Sequence, residues 1–405
     1  MSQAKPSSHA PESRSSSWSG LALFSQGFRP FFLLAGIWAI VALIVWMHVF
    51  LGLTPSTSAF DPVAWHAHEM LFGYAAAVLA GFLLTAIPNW TGRLPLQGWP
   101  LIGLVALWLL GRAAMFFPLA PLVVALVDLS FLLALLAVAA REILAGRNWR
   151  NLPLVAALAV LLTAGALIHA GQAGWLDHAD SYGMRLALAV FAGLIALVGG
   201  RIVPSFTRNW LARHKAEALP TPFSSFDKTS IVILVAALLI WVLAPESALA
   251  GIACIAAGSL HAARLARWRG AATLREPLLA VLHVGYAWLP IAVLLIGLAA
   301  LLPQAFPTSA GLHALTTGAI ATMTLAVMAR AIRGHTGNVL SAGPPTTAIF
   351  IAITAAALFR VGAPWLAGLE THMLMASSAF WILAFAGFVA IHLRTLLTAY
   401  DRRPG

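Results

Sequence analysis

Histidine is the residue type in this sequence best suited to chemistry inside a membrane, and the chain has 13 of them. Imidazole binds iron, copper and zinc, and it commonly serves as an axial ligand of haem. The stretch AWHAHEML (64–71) puts His66, His68 and Glu69 at the head of a long apolar run. Because ionisable groups in such a place usually face a partner, a cavity or a cofactor, these residues are the first candidates for a site.

Helix geometry limits what the two neighbouring histidines can do together. At 3.6 residues per turn, His66 and His68 point about 200° apart if both are helical. They therefore serve different partners, or the segment 65–68 is still a loop. Glu69 shares a face with His66 and can orient that ring as a hydrogen-bond acceptor. In the plainer interpretation, the three are interfacial polar residues, and Glu69 favours the positive end of the helix dipole.

Five further histidines lie near or inside apolar segments, and the predicted topology divides the candidates by side. We expect that the members of each group can converge on a metal or a haem iron. The outer group is His66, His68, His169 and His313, and the inner group is His261, His283 and His335.

Other charged residues in the apolar segments have a structural and a functional interpretation. Asp128 lies inside the fourth segment, where it can pair with Arg112 or Arg185 or can act as a proton-relay group. Arg29, Arg201 and Arg330 lie at helix ends. They can extend toward the interface as anchors, or they can bind haem propionates bidentately.

The elements that position these residues are apolar helices. The chain is 61% hydrophobic and 9% charged, which is too much apolar surface for a water-soluble domain. A helix that crosses a bilayer needs about 20 mostly apolar residues. We predict an all-α polytopic membrane protein with twelve such segments: 28–51, 64–88, 98–117, 119–144, 152–172, 181–204, 229–244, 247–268, 277–302, 309–332, 346–362 and 371–398.

Charge placement predicts the orientation. The net charge of +11 comes from basic residues concentrated in the loops between even and odd segments. This positive-inside pattern places both termini in the cytoplasm, and it argues against a nucleic-acid partner. Residues 1–26 are predicted to be a disordered cytoplasmic tail and 27–405 a single transmembrane domain. Cys254 is the one cysteine, which excludes an intrachain disulfide and an iron–sulfur cluster.

A repeat relates three parts of the chain. When Thr91, Thr207 and Thr336 are aligned, the residues 23 positions upstream are His68, Met184 and His313. This alignment predicts three pseudo-repeated units of four helices, with the second helix of each unit around a pseudo-threefold axis.

Eight segments of the sequence together resemble the NnrS family of haem- and copper-containing membrane proteins linked to nitric oxide. The resemblance extends from the first helix to the loop after the tenth. The segments are GFRPFF (27–32), WHAHEMLFG (65–73), PNWTGRLPL (88–96), RNWRNLP (147–153), GGRIVPSFTRN (199–209), LREPLLAVLHVGYAWLP (274–290), LHALTTGAIATMTLAVMAR (312–330) and GHTG (334–337).

The resemblance implies twelve helices, haem b, copper, and a part in nitric oxide handling during denitrification or nitrosative stress. It also implies a multi-pass protein of the bacterial inner membrane. The four-helix units and the histidine set are similar in architecture to the catalytic subunit of haem–copper oxidases, but adjacent histidines on one helix, which are typical of the copper site there, are absent.

The favoured function is therefore a redox enzyme that binds and reduces or detoxifies nitric oxide with electrons from an unknown donor. We expect His68 and His313 to be axial ligands of a haem, and the inner histidines to hold a second metal. Glu69 and Asp128 are the candidate proton donors. The alternatives are a nitric oxide sensor or scavenger without turnover, and a twelve-helix secondary transporter, which internal repeats also permit.

Overall fold

The computed structural model describes residues 18–398, and in this part the chain is helical and contains no strand. Eleven helices are long and apolar enough to cross a membrane, and a shorter apolar helix lies between the second and third of them. The predicted polytopic all-α fold of about twelve helices is confirmed. The helices are α1 Phe28–Phe50, α2 Pro62–Thr91, α3 Trp99–Ala114, α4 Pro121–Ala145, α5 Trp149–Gln172, α6 Ala179–Arg213, α7 Ser225–Leu243, α8 Ala248–Ala266, α9 Pro277–Leu301, α10 Thr308–His335, α11 Pro344–Trp365 and α12 Glu370–Leu397.

The segment that precedes α1 is only partly described. Residues 1–17 of the predicted tail lie outside the described residues. Residues 18–26 contain the short 3₁₀ helix Ala22–Phe24, and the carbonyl of Phe24 accepts a hydrogen bond from the backbone N–H of Gly98. This last part of the predicted tail is therefore attached to the helical domain.

Local sequence explains where several helices begin. Asp61 caps α2, because its side chain accepts hydrogen bonds from the backbone N–H groups of Val63 and Ala64, and proline occupies the first helical position. Ser224 and Asp227 form a reciprocal capping box at the start of α7. Glu276 accepts from the N–H of Leu278 at the start of α9.

The first and last helices pack against each other and close the bundle. At one end of this contact, the Arg29 guanidinium donates to the carbonyls of Thr395, Leu396 and Thr398. These carbonyls lie at the end of α12, where the helix leaves them without intrahelical partners. Arg29 therefore caps α12 in this structure, whereas the sequence offered an interfacial anchor or a partner for a haem propionate. We call this end of the bundle the terminal face, and the other end the opposite face.

Three helices near the centre of the bundle each contain a π-helical segment. These segments are Glu69–Ala75 in α2, Ile195–Gly199 in α6 and Ala314–Ile320 in α10. The segments in α2 and α10 both span seven residues and begin directly after the aligned residues His68 and His313. The three helices contact one another. Backbone geometry thus supports the repeat between the first and third units, and π-helical turns frequently mark functional sites.

The same two π-helical segments also contain equivalent close contacts. A Cβ atom added to Gly73 would lie 2.4 Å from Nε1 of Trp38, and one added to Gly318 would lie 2.6 Å from Cδ2 of Trp288. The two tryptophans come from α1 and α9, the first helices of the first and third units. Each glycine therefore lets an indole lie directly on the π-helical backbone.

We expect Gly73→Ala and Gly318→Ala each to destabilise the fold by about 1–3 kcal/mol, because the added methyl overpacks against an indole ring. Gly103→Ala in α3 is the matched control, since a Cβ at that position meets nothing within 4 Å. Equilibrium unfolding in detergent measures the difference. Equal stability of the three variants would contradict the packing described here.

Candidate metal centre

Five buried ionisable side chains from four consecutive helices meet in the half of the bundle at the opposite face. His68 and Glu69 come from α2, Arg112 from α3, Asp128 from α4 and His169 from α5. None of the five is more than 4% exposed. Burying charges is costly unless they are paired or bind a metal, so a cluster of this kind requires a specific set of contacts.

Close helix packing brings the cluster together. A Cβ added to Gly111 would lie 3.2 Å from Cα of Asp128, and one added to Gly73 would lie 3.1 Å from Nη1 of Arg112. Glycine at these two positions lets α3 approach α4 and lets the Arg112 side chain lie along α2. The cluster therefore depends on small residues as well as on its charged ones.

Two imidazoles and one carboxylate within this cluster have the spacing of metal ligands. Nε2 of His68 lies 3.1 Å from Oδ2 of Asp128, and Nε2 of His169 lies 3.0 Å from the same oxygen. The three ligand atoms lie within 4.8 Å of one another. Ligands that bind a metal at about 2.1 Å and at right angles are about 3.0 Å apart, which is close to these two distances. In the structure as it stands, His169 and Asp128 are joined by a hydrogen bond.

The orientation of the His68 ring also fits a metal ligand. Its Nδ1 lies 3.1 Å from Oε1 of Glu69 and can donate to it. That contact favours the tautomer in which Nε2 carries a lone pair, the form that binds a metal. Although Nε2 is 3.1 Å from Asp128, its geometry is not that of a hydrogen bond, and this buried atom has no hydrogen-bond partner in the described part of the chain.

Arg112 balances the charge of the two carboxylates. Its guanidinium pairs with Oε1 of Glu69 and with Oδ1 of Asp128. The sequence offered Arg112 and Arg185 as partners for Asp128. The partner in the structure is Arg112, while Arg185 donates to the carbonyl of Val242. With both histidines neutral, the cluster carries one net negative charge, which favours the binding of a cation.

Aromatic rings cover the candidate ligands. Phe72 stacks on His68 with ring centroids 4.8 Å apart, and Phe60 meets the rings of His68 and His169 edge to face at 5.5 and 5.1 Å. Both phenylalanines are buried. They limit the access of water to the cluster, which strengthens electrostatic interactions inside it.

His66 and His313 lie in the same half of the bundle as the cluster, at the opposite face, but in a different part of it. The His66 ring stacks on Trp46 at 4.6 Å, and its buried Nδ1 has no hydrogen-bond partner among residues 18–398. His313 bonds the carbonyl of Ser309 through Nδ1. Both histidines interact electrostatically with Arg360. The structure thus brings His66 near His313, whereas His68 faces Asp128 and His169, and Glu69 contacts His68 instead of His66.

The inner histidines have three separate environments. His261 bonds the Tyr286 hydroxyl at 2.8 Å, and His283 bonds the Thr207 hydroxyl at 2.8 Å. His335 stacks on Phe28, with ring centroids 5.6 Å apart. Within residues 18–398, His68, Asp128 and His169 are the one group of three possible ligands whose ligand atoms all lie within 4.8 Å of one another. The structure does not assemble the predicted inner histidine centre.

A large cavity lies in the half of the bundle at the terminal face. Its volume is about 680 Å³, and its walls include apolar residues together with three arginines and a histidine. These four are Arg150, Arg201, Arg330 and His335. A volume of this size is within the range of cofactor and small-molecule pockets, which is about 300–1,000 Å³. Arg201 and Arg330 were expected from the sequence to be cofactor-binding residues.

Some features of these sites are not evident from the sequence alone. Arg150 is one of the basic loop residues that in the sequence indicate only orientation, and no pattern in the sequence singles out Phe60 or Phe72. Asp128 was a candidate proton relay, but its contact with two imidazoles makes it a candidate ligand. Its position inside an apolar helix was the available signal, because a carboxylate there needs several partners.

The fold and this cluster define a polytopic membrane protein with a buried histidine–aspartate site between its helices. The model of the NnrS protein family matches residues 22–399, nearly the whole chain, and the chain therefore belongs to this family. Membership fits a link to nitric oxide and an association with metal or haem binding. No curated protein matches the chain significantly.

Proposed function

We propose that the protein is a haem- and copper-binding membrane oxidoreductase that binds and reduces nitric oxide. The observation that carries the proposal is the buried set of His68, Asp128 and His169, in which Nε2 of His68 has no hydrogen-bond partner among the described residues. A neutral imidazole nitrogen buried in this way costs free energy unless something binds it. A metal ion would remove that cost.

The donor set suits copper. Imidazole binds copper, iron and zinc, and nitrogen and oxygen donors together are typical of copper(II) sites. His68 and His169 would each supply Nε2, and Asp128 would supply Oδ2. Glu69 would hold the His68 ring in place, as carboxylates commonly do for metal-bound histidines. Arg112 would keep Asp128 oriented and would balance the charge of Glu69.

The large cavity at the terminal face fits a haem. Its volume of about 680 Å³ and mainly apolar walls suit a porphyrin. His335 would supply an imidazole for the iron, and Arg150, Arg201 and Arg330 would pair with the two propionates. Arg330 already lies over the Phe206 ring, 4.1 Å from its centroid, which limits its freedom.

Bound metals would supply redox chemistry and open coordination positions for nitric oxide. The protein's own residues would hold these groups, exclude water and deliver protons. Because Asp128 contacts both imidazoles and Arg112, we assign it to metal binding. Glu69 keeps one buried oxygen, Oε2, without a hydrogen-bond partner among the described residues. We therefore assign proton delivery to Glu69, next to the His68 ring.

A double variant tests whether the haem site is separate from the copper site, and a single variant tests the consumption of nitric oxide. In protein expressed with ample haem and copper, Arg201→Leu/Arg330→Leu is expected to lose most of the Soret band and to keep its copper. Glu69→Gln is expected to bind nitric oxide and to consume it about 10²-fold more slowly with a reductant, which is the lower end of a positioned proton donor's contribution.

The measurements are reduced-minus-oxidised spectra, metal analysis and nitric oxide consumption on purified protein. Wild-type protein that contains neither haem nor copper would refute the proposal. Wild-type protein that binds nitric oxide but does not consume it with a reductant would be a sensor or scavenger, and the assignment of an oxidoreductase would be wrong.

A further inference from the structure

A second, smaller cavity lies at the centre of the bundle, where α2, α6 and α10 meet. Its volume is about 90 Å³. Each of the three π-helical segments contributes a wall residue, namely Ala75, Ile195 and Ile320. A π-helical turn disturbs the regular packing of a helix, so three such turns around one point can leave space between them.

The walls of this central cavity are apolar. Thr324 is the one residue with a polar side chain among those that line it. Its hydroxyl already bonds the carbonyls of Ile320 and Ala321 and the hydroxyl of Tyr74. A water molecule needs two to four polar partners, and apolar cavities of about 150 Å³ stay dry and bind xenon or benzene. The central cavity therefore suits a small uncharged molecule and excludes ions, which would lose their hydration there.

The central cavity adjoins the larger cavity at the terminal face. Five residues line both spaces: Phe82, Leu154, Val198, Ile202 and Val327. The two cavities are therefore neighbours that share part of their walls.

One π-helical segment connects the wall of the central cavity with the candidate metal centre. Ala75 lines the cavity and ends the segment that contains Phe72, three residues earlier. The Phe72 ring stacks on His68 and does not line the cavity. A gas molecule that moved along this segment from the cavity to the candidate ligands would have to pass Phe72.

We propose that the central cavity binds a small uncharged diatomic gas and is the route by which the gas reaches His68, Asp128 and His169, with Phe72 as the last barrier. The part of the proposal that concerns arrival at the metal rests on the proposed function. Nitric oxide has the required chemistry, because it is small, uncharged and soluble in hydrocarbon.

Xenon is the probe for the cavity, and the rate of nitric oxide association is the probe for the route. Val78→Phe places a larger side chain in the wall of the central cavity from α2, and Ile195→Phe does the same from α6; neither residue lines the cavity assigned to the haem. Leu197→Phe is the matched control, since Leu197 belongs to the same π-helical segment as Ile195 and does not line either cavity.

Wild-type protein and the control are expected to bind xenon in the cavity, and the two blocking variants to lose it. At equal metal content, nitric oxide is expected to associate about tenfold more slowly with the blocking variants, an added barrier of about 1.4 kcal/mol. Absence of xenon from wild-type protein would overturn the cavity as a gas site. Equal association rates in a variant that has lost xenon would overturn the route.

These results remain distinct from a failure of the proposed function. Xenon binding needs neither metal nor nitric oxide, so it tests the cavity even in metal-free protein. If wild-type protein binds xenon but never binds nitric oxide, the gas site is supported and the proposed function is refuted.

Discussion

Replacing His68 with alanine is expected to lower the affinity of the buried centre for copper by about 10³-fold or more. Removal of an orienting residue outside the ligand set typically costs 10–100-fold, and loss of a ligand itself should cost more. His169→Ala is expected to have the same effect, because both rings contact the same oxygen of Asp128. Titration of metal-stripped protein with copper in the presence of a competing chelator measures the affinity.

His66→Ala and His313→Ala are the matched controls for this experiment. Both histidines lie in the same half of the bundle, and neither belongs to the set of His68, Asp128 and His169. Their removal should leave copper affinity within a factor of about three, a difference of less than 1 kcal/mol. If His313→Ala instead abolished binding and His169→Ala did not, the centre would be the pairing of His68 with His313 that the repeat suggested.

Replacing Arg112 with leucine is expected to destabilise the metal-free fold by about 3–5 kcal/mol. Removing one partner of a buried ion pair leaves an uncompensated charge in a low-dielectric interior, and here it would leave two carboxylates. Arg112 is 3% exposed and contacts both Glu69 and Asp128. Equilibrium unfolding in detergent measures the loss, and Arg112→Lys should recover part of it because the positive charge remains.

Arg93→Leu provides the matched control for the arginine prediction. Arg93 pairs with Glu142, but its side chain is 39% exposed, so we expect a cost of about 0–1 kcal/mol. The double variant Arg112→Leu/Asp128→Asn should be less destabilised than the sum of its single variants, because the two residues share one interaction. Additive effects would mean that the guanidinium does not stabilise the carboxylate.

The helices could be predicted from the sequence because their cause is local. A run of about 20 apolar residues must satisfy its backbone hydrogen bonds internally when the solvent is lipid, and a helix does so within one segment. The predicted boundaries of α1, 28–51, and of α9, 277–302, agree with the structure to within a residue. Proline and capping residues contribute to such boundaries, since their effects extend only a few positions.

The sequence predicted the residues of the candidate site but not which of them contact one another. His68, His169 and Asp128 were each singled out because an ionisable residue in an apolar segment needs a partner. Which partner it finds depends on how α2, α4 and α5 are rotated and shifted against one another. The rotation and shift of these helices depend on contacts such as the one between Gly111 and Asp128. Residues that lie 41 positions apart along the chain, such as Asp128 and His169, come into contact only when the helices pack.

The repeat suggested a partner for His68 that the structure does not provide. Equivalent positions in the first and third units led to a pairing of His68 with His313, and the π-helical segments that follow both residues support that equivalence. An alignment of two sequences, however, predicts equal depth in the membrane and does not determine which neighbouring helix each side chain faces. His68 is directed to α4 and α5, whereas His313 lies near Arg360 of α11.

The amino-acid sequence alone is enough to predict that this chain spans a membrane with about twelve helices, to pick out the residues that are too polar for that setting, and to recognise the family. The contacts between helices are needed to show that two of the histidines share one aspartate, that Arg112 lies between two carboxylates, and that an apolar cavity remains where the π-helical turns meet. The physical reason is the distance along the chain over which each interaction acts. Solvent and backbone hydrogen bonding act on neighbouring residues, while ligand sets and cavities arise from side chains of different helices.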